Sequence, residues 1–183
     1  AKSRLIIQGH IGYSRSGGVV IRSGTDQDGN REDYWAPTSP LCGVRSLISH
    51  ASLHKDYTLS SSDLSQAYLQ SISHLTNVFV ELPEALTSYL PADMQERIKK
   101  LGGGRVCYPV IANVYGLPSS GYGYSATLAN WLQKQGWTRV NSERATYVRM
   151  GEHGQQLLTT YVDDLLLSCS RLDVESAWES ILG

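Results

Sequence analysis

Short apolar runs fill the last third of the chain, and apolar positions recur at helical spacing in its middle. Residues 147–150, 156–162 and 165–169 read as three strands. Residues 44–54 place Val44, Ile48 and Ala51 at helical spacing, with a short break before Tyr57. Residues 57–62 read as a strand running directly into a helix that opens near Asp63. Residues 77–82 alternate and end at Pro83, a strand; residues 91–101 are helical and stopped by Gly102-Gly103-Gly104. Residues 125–135 form a second clear helix, with Leu128, Trp131 and Leu132 on one face and Gly136 beyond its end. Near the start, residues 3–8 and 17–22 carry β-branched runs that suit a strand pair, and residues 24–33 read as a loop. Strands and helices mixed without regular alternation predict an α+β fold.

Composition narrows the class. The chain has 183 residues, of which 41% are hydrophobic and 18% charged, enough for one domain with a core. No apolar run approaches the roughly 18 residues of a membrane span, and no signal peptide opens the chain. Cys42, Cys107 and Cys169 lie far apart, which excludes a disulfide scaffold and fits a reducing compartment. The net charge is −1, which by itself argues against a simple basic nucleic-acid binder. Along the chain, however, the sign alternates in blocks. Residues 1–25 hold four basic residues and no acid, and residues 97–151 hold eight basic residues against Glu143 alone. Residues 26–96 hold ten acids and three bases, and residues 152–183 six acids and Arg171. Two basic blocks brought together form a wall for a polyanion; scattered, they are ordinary solvated faces.

The chemistry concentrates in carboxylates. Two apolar strands meet at Asp163-Asp164, poor turn chemistry for a two-residue hairpin, and the adjacent charges repel. A divalent cation such as Mg²⁺ removes the difficulty; an exposed acidic turn needs no function. Asp63 sits at a strand–helix junction, where it reads as an N-cap with Gln66 completing a capping box. His50 and His54 have a spacing that zinc uses, but no third ligand accompanies them. The triple glycine lacks the Lys-Ser/Thr of a phosphate loop, and no Gly-x-Ser-x-Gly elbow is present. Trp131 and Trp137 read as packing residues.

Five segments in order carry a resemblance. They are Lys2-Ser3-Arg4-Leu5-Ile6-Ile7-Gln8-Gly9; Tyr34-Trp35-Ala36-Pro37 with Arg45 following; Asp63 to Leu69; Tyr115-Gly116-Leu117; and Tyr161-Val162-Asp163-Asp164. Together they resemble the reverse transcriptase domain of copia-type retrotransposons, from Lys2 to about Leu167.

The resemblance implies a right-hand polymerase fold with an antiparallel palm sheet packed on helices and no thumb. The fingers would span approximately residues 1–55 and 71–123, and the palm approximately 56–70 and 124–183. It implies RNA-directed DNA synthesis, adding deoxynucleotides to a primer 3′-hydroxyl with release of pyrophosphate through two Mg²⁺ ions, for which Mn²⁺ can substitute. Metal binding falls to Asp63 and Asp163, with Asp164 alongside and the backbone carbonyl of Leu64 as a further ligand. Tyr68 would lie beneath the incoming sugar and clash with a ribonucleotide's 2′-hydroxyl; without the resemblance it reads as core packing on the helix after Asp63, and the two roles are compatible. Arg4, and Lys2 beside it, would contact the triphosphate, a task suited to the planar guanidinium. The implied partners are an RNA or DNA template with primer, deoxynucleoside triphosphates, and the thumb, RNase H and integrase of a longer polyprotein. The implied locations are cytoplasmic virus-like particles and the nucleus.

The chain departs from the family after Tyr-Gly-Leu. The usual Lys-Gln-Ser-Pro-Arg is replaced by Pro118-Ser119-Ser120-Gly121-Tyr122, so Ser119 stands where a longer glutamine would touch the nucleotide. The basic pair expected before Tyr115 is replaced by Val110-Ile111-Ala112-Asn113, and each lost cation removes a phosphate contact. These changes keep a second reading open: a catalytically inactive, degenerate or domesticated remnant that binds nucleic acid or serves structurally.

Overall fold

The computed structural model describes residues 11–13, 19–22, 36–73, 78–102 and 106–183. In chain order the elements are β1 (Ile11–Tyr13), β2 (Val19–Arg22), α1 (Leu41–Leu53), β3 (Tyr57–Asp63), β4 (Phe79–Leu82) and α2 (Glu84–Thr87). Then come α3 (Ala92–Lys100), β5 (Val106–Pro109), α4 (Ser120–Lys134), β6 (Thr138–Val140), β7 (Glu143–Gly151), β8 (Gly154–Tyr161), β9 (Asp164–Ser170) and α5 (Val174–Leu182). Short 3₁₀ turns follow β3 (Ala67–Gln70) and β9 (Arg171–Asp173). The fold is α+β, as expected. Its centre is a five-stranded sheet in the order β3-β9-β8-β7-β6, antiparallel at every pair; β1-β2 and β4-β5 form two separate ribbons. No helix among the described residues is long and apolar enough to cross a membrane.

The period-two pattern of β9 assigns its two faces. Leu165, Leu167 and Cys169 are buried in one cluster with Tyr147 and Leu158 of the sheet, Tyr124, Leu128 and Leu132 of α4, and Ala177 and Ile181 of α5. Tyr124, Leu128 and Leu132 recur every four residues, so α4 lays one stripe along the sheet. Burying each such leucine is worth about 1.5–3 kcal/mol. The alternate residues of β9 look the other way, toward α1, where His50 Nδ1 lies 2.8 Å from Ser168 Oγ. The sheet is thus covered by α4 and α5 on one face and by α1 on the other.

Several expectations need correction. No helix opens at Asp63: it is the last residue of β3, and Gln66 has φ +56°, so there is no capping box. The chain leaves the strand to donate the Leu64 N–H to the Asp163 carbonyl at 2.8 Å, a tertiary bond that local capping chemistry does not foresee. Helix α4 begins at Ser120, more than a turn before residue 125, so glycine and tyrosine occupy its first turn despite weak helix propensity. Trp131 is not on the buried stripe; it is partly exposed and its indole N–H donates to the Ile181 carbonyl at 2.9 Å. Helix α1 buries Gly43 and Leu47, whereas Ile48 is largely exposed. Strands β5 and β6 and helix α5 were not expected from the pattern. At the start, β1 pairs with β2, and the strand expected over residues 3–8 lies outside the described residues.

Candidate active site

The register of the sheet brings the two acidic segments together. In the β3–β9 ladder Asp63 stands opposite Asp164, and in the β8–β9 ladder Tyr161 stands opposite the same Asp164. The hairpin turn is therefore Val162-Asp163, one residue earlier than the Asp163-Asp164 turn that the pattern predicts. Asp164 already belongs to the strand. Val162 takes φ +56°, a left-handed conformation that a β-branched residue rarely adopts. Such strain persists only where the surroundings impose it, and it clusters at functional sites. Here the β3–β9 and β8–β9 ladders hold the turn from both sides.

Two cavities flank this end of the sheet. Under α1 lies one of about 360 Å³, into which Asp63, Asp164, Ser39, Ser61, Thr159 and Tyr161 project. Two carboxylates directly opposite across an antiparallel pair repel, and both are exposed. A hard divalent cation takes carboxylate and hydroxyl oxygens, so this donor set fits Mg²⁺. Among the described residues, no three His, Cys, Asp or Glu side chains are gathered into a metal-holding group. Asp163 is half-buried and lines neither cavity.

On the α4 side a smaller cavity of about 90 Å³ is lined by Tyr68, Tyr124, Thr38, Ser125, Thr160 and Val162, among others. The ring of Tyr68 lies 4.7 Å from that of Tyr115 and meets that of Tyr124 edge-on at 5.8 Å. Burial, then the Tyr115 phenol, then the negative charge of Asp163 raise the Tyr68 phenol above its ordinary value. Burial first, and Asp163 next, raise Tyr124 much further. Both phenols therefore stay protonated, and the field of Asp163 reaches them. The Tyr124 hydroxyl is buried without a hydrogen-bond partner.

Of the residues singled out by sequence, Asp63, Leu64, Tyr68, Asp163 and Asp164 lie at one end of the sheet, but Asp63 and Asp164 line the cavity under α1, Tyr68 lines the one on the α4 side, and Asp163 lines neither. Ser119 does not join them. It caps the N-terminus of α4 with its carbonyl accepting from Gly123 N–H at 2.9 Å, while its side chain is buried, without a partner, and lines neither cavity. Lys2 and Arg4 lie outside the described residues. His50 and His54 stack with Tyr57, their rings 5.4 Å apart, and burial followed by the His54 charge lowers the His50 pKa. Sequence reasoning missed Tyr124. Its signal was the four-residue spacing to Leu128 and Leu132, hidden by starting the helix at residue 125.

Comparison of the chain with models of known protein families, with curated proteins and with solved structures gives no match.

Proposed function

We propose that this chain is the fingers and palm of an RNA-directed DNA polymerase of the copia retrotransposon type. It would act on a primer annealed to an RNA or DNA template, with fingers and palm divided as the sequence resemblance implies. The observation that carries the reading is the meeting of Asp63 with Tyr161-Val162-Asp163-Asp164, two segments far apart in sequence and adjacent in the sheet. Asp63, Asp163, Asp164 and the Leu64 carbonyl would hold two Mg²⁺ ions. Bound there, such ions would lower the pKa of the primer hydroxyl and neutralise charge on the transferring phosphate.

The chain's own residues bind and orient. Tyr68, stacked on Tyr115, offers a rigid ring wall against a ribose 2′-hydroxyl. The strained Val162 turn fixes the backbone between Tyr161 and Asp164. Lys2 and Arg4 would supply phosphate contacts, and a thumb, RNase H and integrase would be partners within a longer polyprotein.

One observation favours the rival, a catalytically silent remnant. The buried Ser119 side chain leaves the nucleotide side without the contact implied there. Primer extension on an RNA template with wild-type protein and Asp163→Asn separates the two. Equal extension, or none by either, would sink the polymerase reading.

A further inference from the structure

His50 lies in the last turn of α1 and His54 is its C-cap residue, so the two imidazoles stand one above the other. His50 Nδ1 is 2.8 Å from Ser168 Oγ, on a β9 residue with no exposed surface, and this contact sets the orientation of the ring. The other nitrogen, Nε2, is buried and meets no partner. A hydrogen on Nε2 would be an orphaned buried donor, which folded proteins rarely leave. We therefore assign the hydrogen to Nδ1, donating to Ser168, so that Nε2 carries the free lone pair. A ring tied back into the protein through one nitrogen, with the other unprotonated and unpaired, has the arrangement of a metal-ligating histidine.

The spacing of the two rings agrees with that role. Two imidazoles on one tetrahedral ion, each bonded at about 2.0–2.1 Å, hold their ring centres about 5 Å apart. Here the centres are 5.4 Å apart, so a turn of the rings brings both onto one ion with no shift of the backbone. His54 is exposed, and rotation of its side chain opens the space beside His50 to an ion. The Tyr57 ring flanks both histidines, but its hydroxyl donates to the His153 carbonyl at 3.5 Å, which makes it a wall rather than a ligand. The site is at the C-terminal end of α1, where the helix dipole favours a cation.

The donors select the ion. Mg²⁺ and Ca²⁺ take oxygen ligands, whereas imidazole suits Zn²⁺ and its neighbours. Among the described residues, no three His, Cys, Asp or Glu side chains gather around one point, so water must complete the coordination.

We propose that His50 Nε2 and a ring nitrogen of His54 form a two-histidine site for Zn²⁺, with water in the remaining positions. The site sits at the opposite end of β3 from Asp63 and stands independently of the polymerase reading. Both ligands belong to α1 and His50 is tied to β9, so the ion clamps the end of the helix onto the sheet. Two protein ligands bind more weakly than the three or four of permanent zinc centres, and occupancy follows the supply of the ion.

The test titrates the tag-free chain with zinc chloride by calorimetry, beside His54→Gln and His153→Gln, and follows the histidine ring resonances by NMR. His54 is exposed at the helix end, so its replacement leaves the fold intact. Zn²⁺ should shift the His50 and His54 resonances together and raise the thermal midpoint of the wild-type protein. His54→Gln should weaken this binding by at least about 10-fold, and His153→Gln should leave it within about twofold. Excess Mg²⁺ should not displace the ion. Undiminished binding by His54→Gln, an equal loss in His153→Gln, displacement by Mg²⁺, or no shift of the His50 and His54 resonances would each overturn the proposal.

Discussion

Asp63 and Asp164 face each other at the end of the β3–β9 ladder, two carboxylates on one face of the sheet above the same cavity. Like charges directly opposite destabilise an antiparallel pair. The arrangement costs stability in the ligand-free protein, and a bound cation would relieve it. Asp164→Asn is therefore expected to raise the stability of the metal-free fold by a few tenths of a kcal/mol. The same substitution should blunt the stabilisation that Mg²⁺ gives the wild-type protein. Urea denaturation with chelator and with added Mg²⁺ measures both. An Asn variant that is less stable without metal, or that gains as much from Mg²⁺ as wild type, would show that the pair does not hold the ion.

Behind the small cavity, Asn113 anchors the segment leading into α4. Its Nδ2 donates to Ser71 Oγ at 2.8 Å and to the Ile72 carbonyl at 3.1 Å, and the side chain is fully buried against Gly123. A Cβ on Gly123 would lie 2.5 Å from that Nδ2. Because Asn113 is bonded and enclosed, it cannot swing aside freely. Gly123→Ala should cost about 1–3 kcal/mol, the penalty of unpairing a buried amide, rather than the gain expected of alanine in a helix. The thermal midpoint of the variant decides; a rise would show that Asn113 repacks without loss.

Much of the sheet was legible because β8 and β9 carry short apolar runs, from which Leu158, Leu165, Leu167 and Cys169 reach one core. The stop of α4 was legible from Gly136, which takes φ +84° just past the helix. What stayed hidden depends on partners distant in sequence. Asp63 looks like a cap because Gln66 follows it, yet the bond between Leu64 N–H and the Asp163 carbonyl decides its place. The start of α4 was obscured by glycines and tyrosines of low propensity, which tertiary packing overrides. The turn fell one residue early because the two ladders set the register, and no local rule selects valine for positive φ. At the site, the residue types were legible and the pairing was not: the register sets Asp63 opposite Asp164, whereas the motif alone singles out Asp163.

Far from the aspartates, the tip of the β7–β8 hairpin is tied to the 3₁₀ turn before α5. Asp173 is almost fully buried; it lies 2.6 Å from His153 Nδ1 and accepts from His153 N–H at 3.0 Å and Gln156 Nε2 at 3.3 Å. The hydrogen bond to Asp173 raises the His153 pKa above its ordinary 6.5, with the Asp173 and Glu152 charges adding and desolvation opposing. Burial acts to raise the Asp173 pKa, and the bonds from His153 and Gln156 outweigh it, leaving it below the usual 3.8. The contribution of His153 is thus fully present below pH 6.5 and lost as pH rises through its raised value. That of Asp173 is present above pH 3.8 and lost as pH falls through its lowered value. Denaturation midpoints between about pH 5 and about pH 8 should fall on the alkaline side in wild type, and His153→Gln should flatten that fall. An unchanged slope in the variant would assign the dependence to other groups.

The strain at Val162 gives the sharpest single-residue test of the turn. A left-handed conformation costs a non-glycine residue about 1–2 kcal/mol, and glycine none. Glycine returns about 0.5–1 kcal/mol of that through its greater freedom in the unfolded chain, and the half-buried valine side chain loses some packing. Val162→Gly should therefore leave stability unchanged or raise it by up to about 1 kcal/mol, where a half-buried valine is ordinarily missed. Val162→Ala keeps the positive φ strain and removes two methyl groups, so it should be the less stable of the two. If the strain serves to hold Asp163, Val162→Gly should also slow primer extension although the fold is no weaker. Urea midpoints at constant m-value rank the three proteins, and a glycine variant less stable than the alanine variant would show that the turn is not strained in solution.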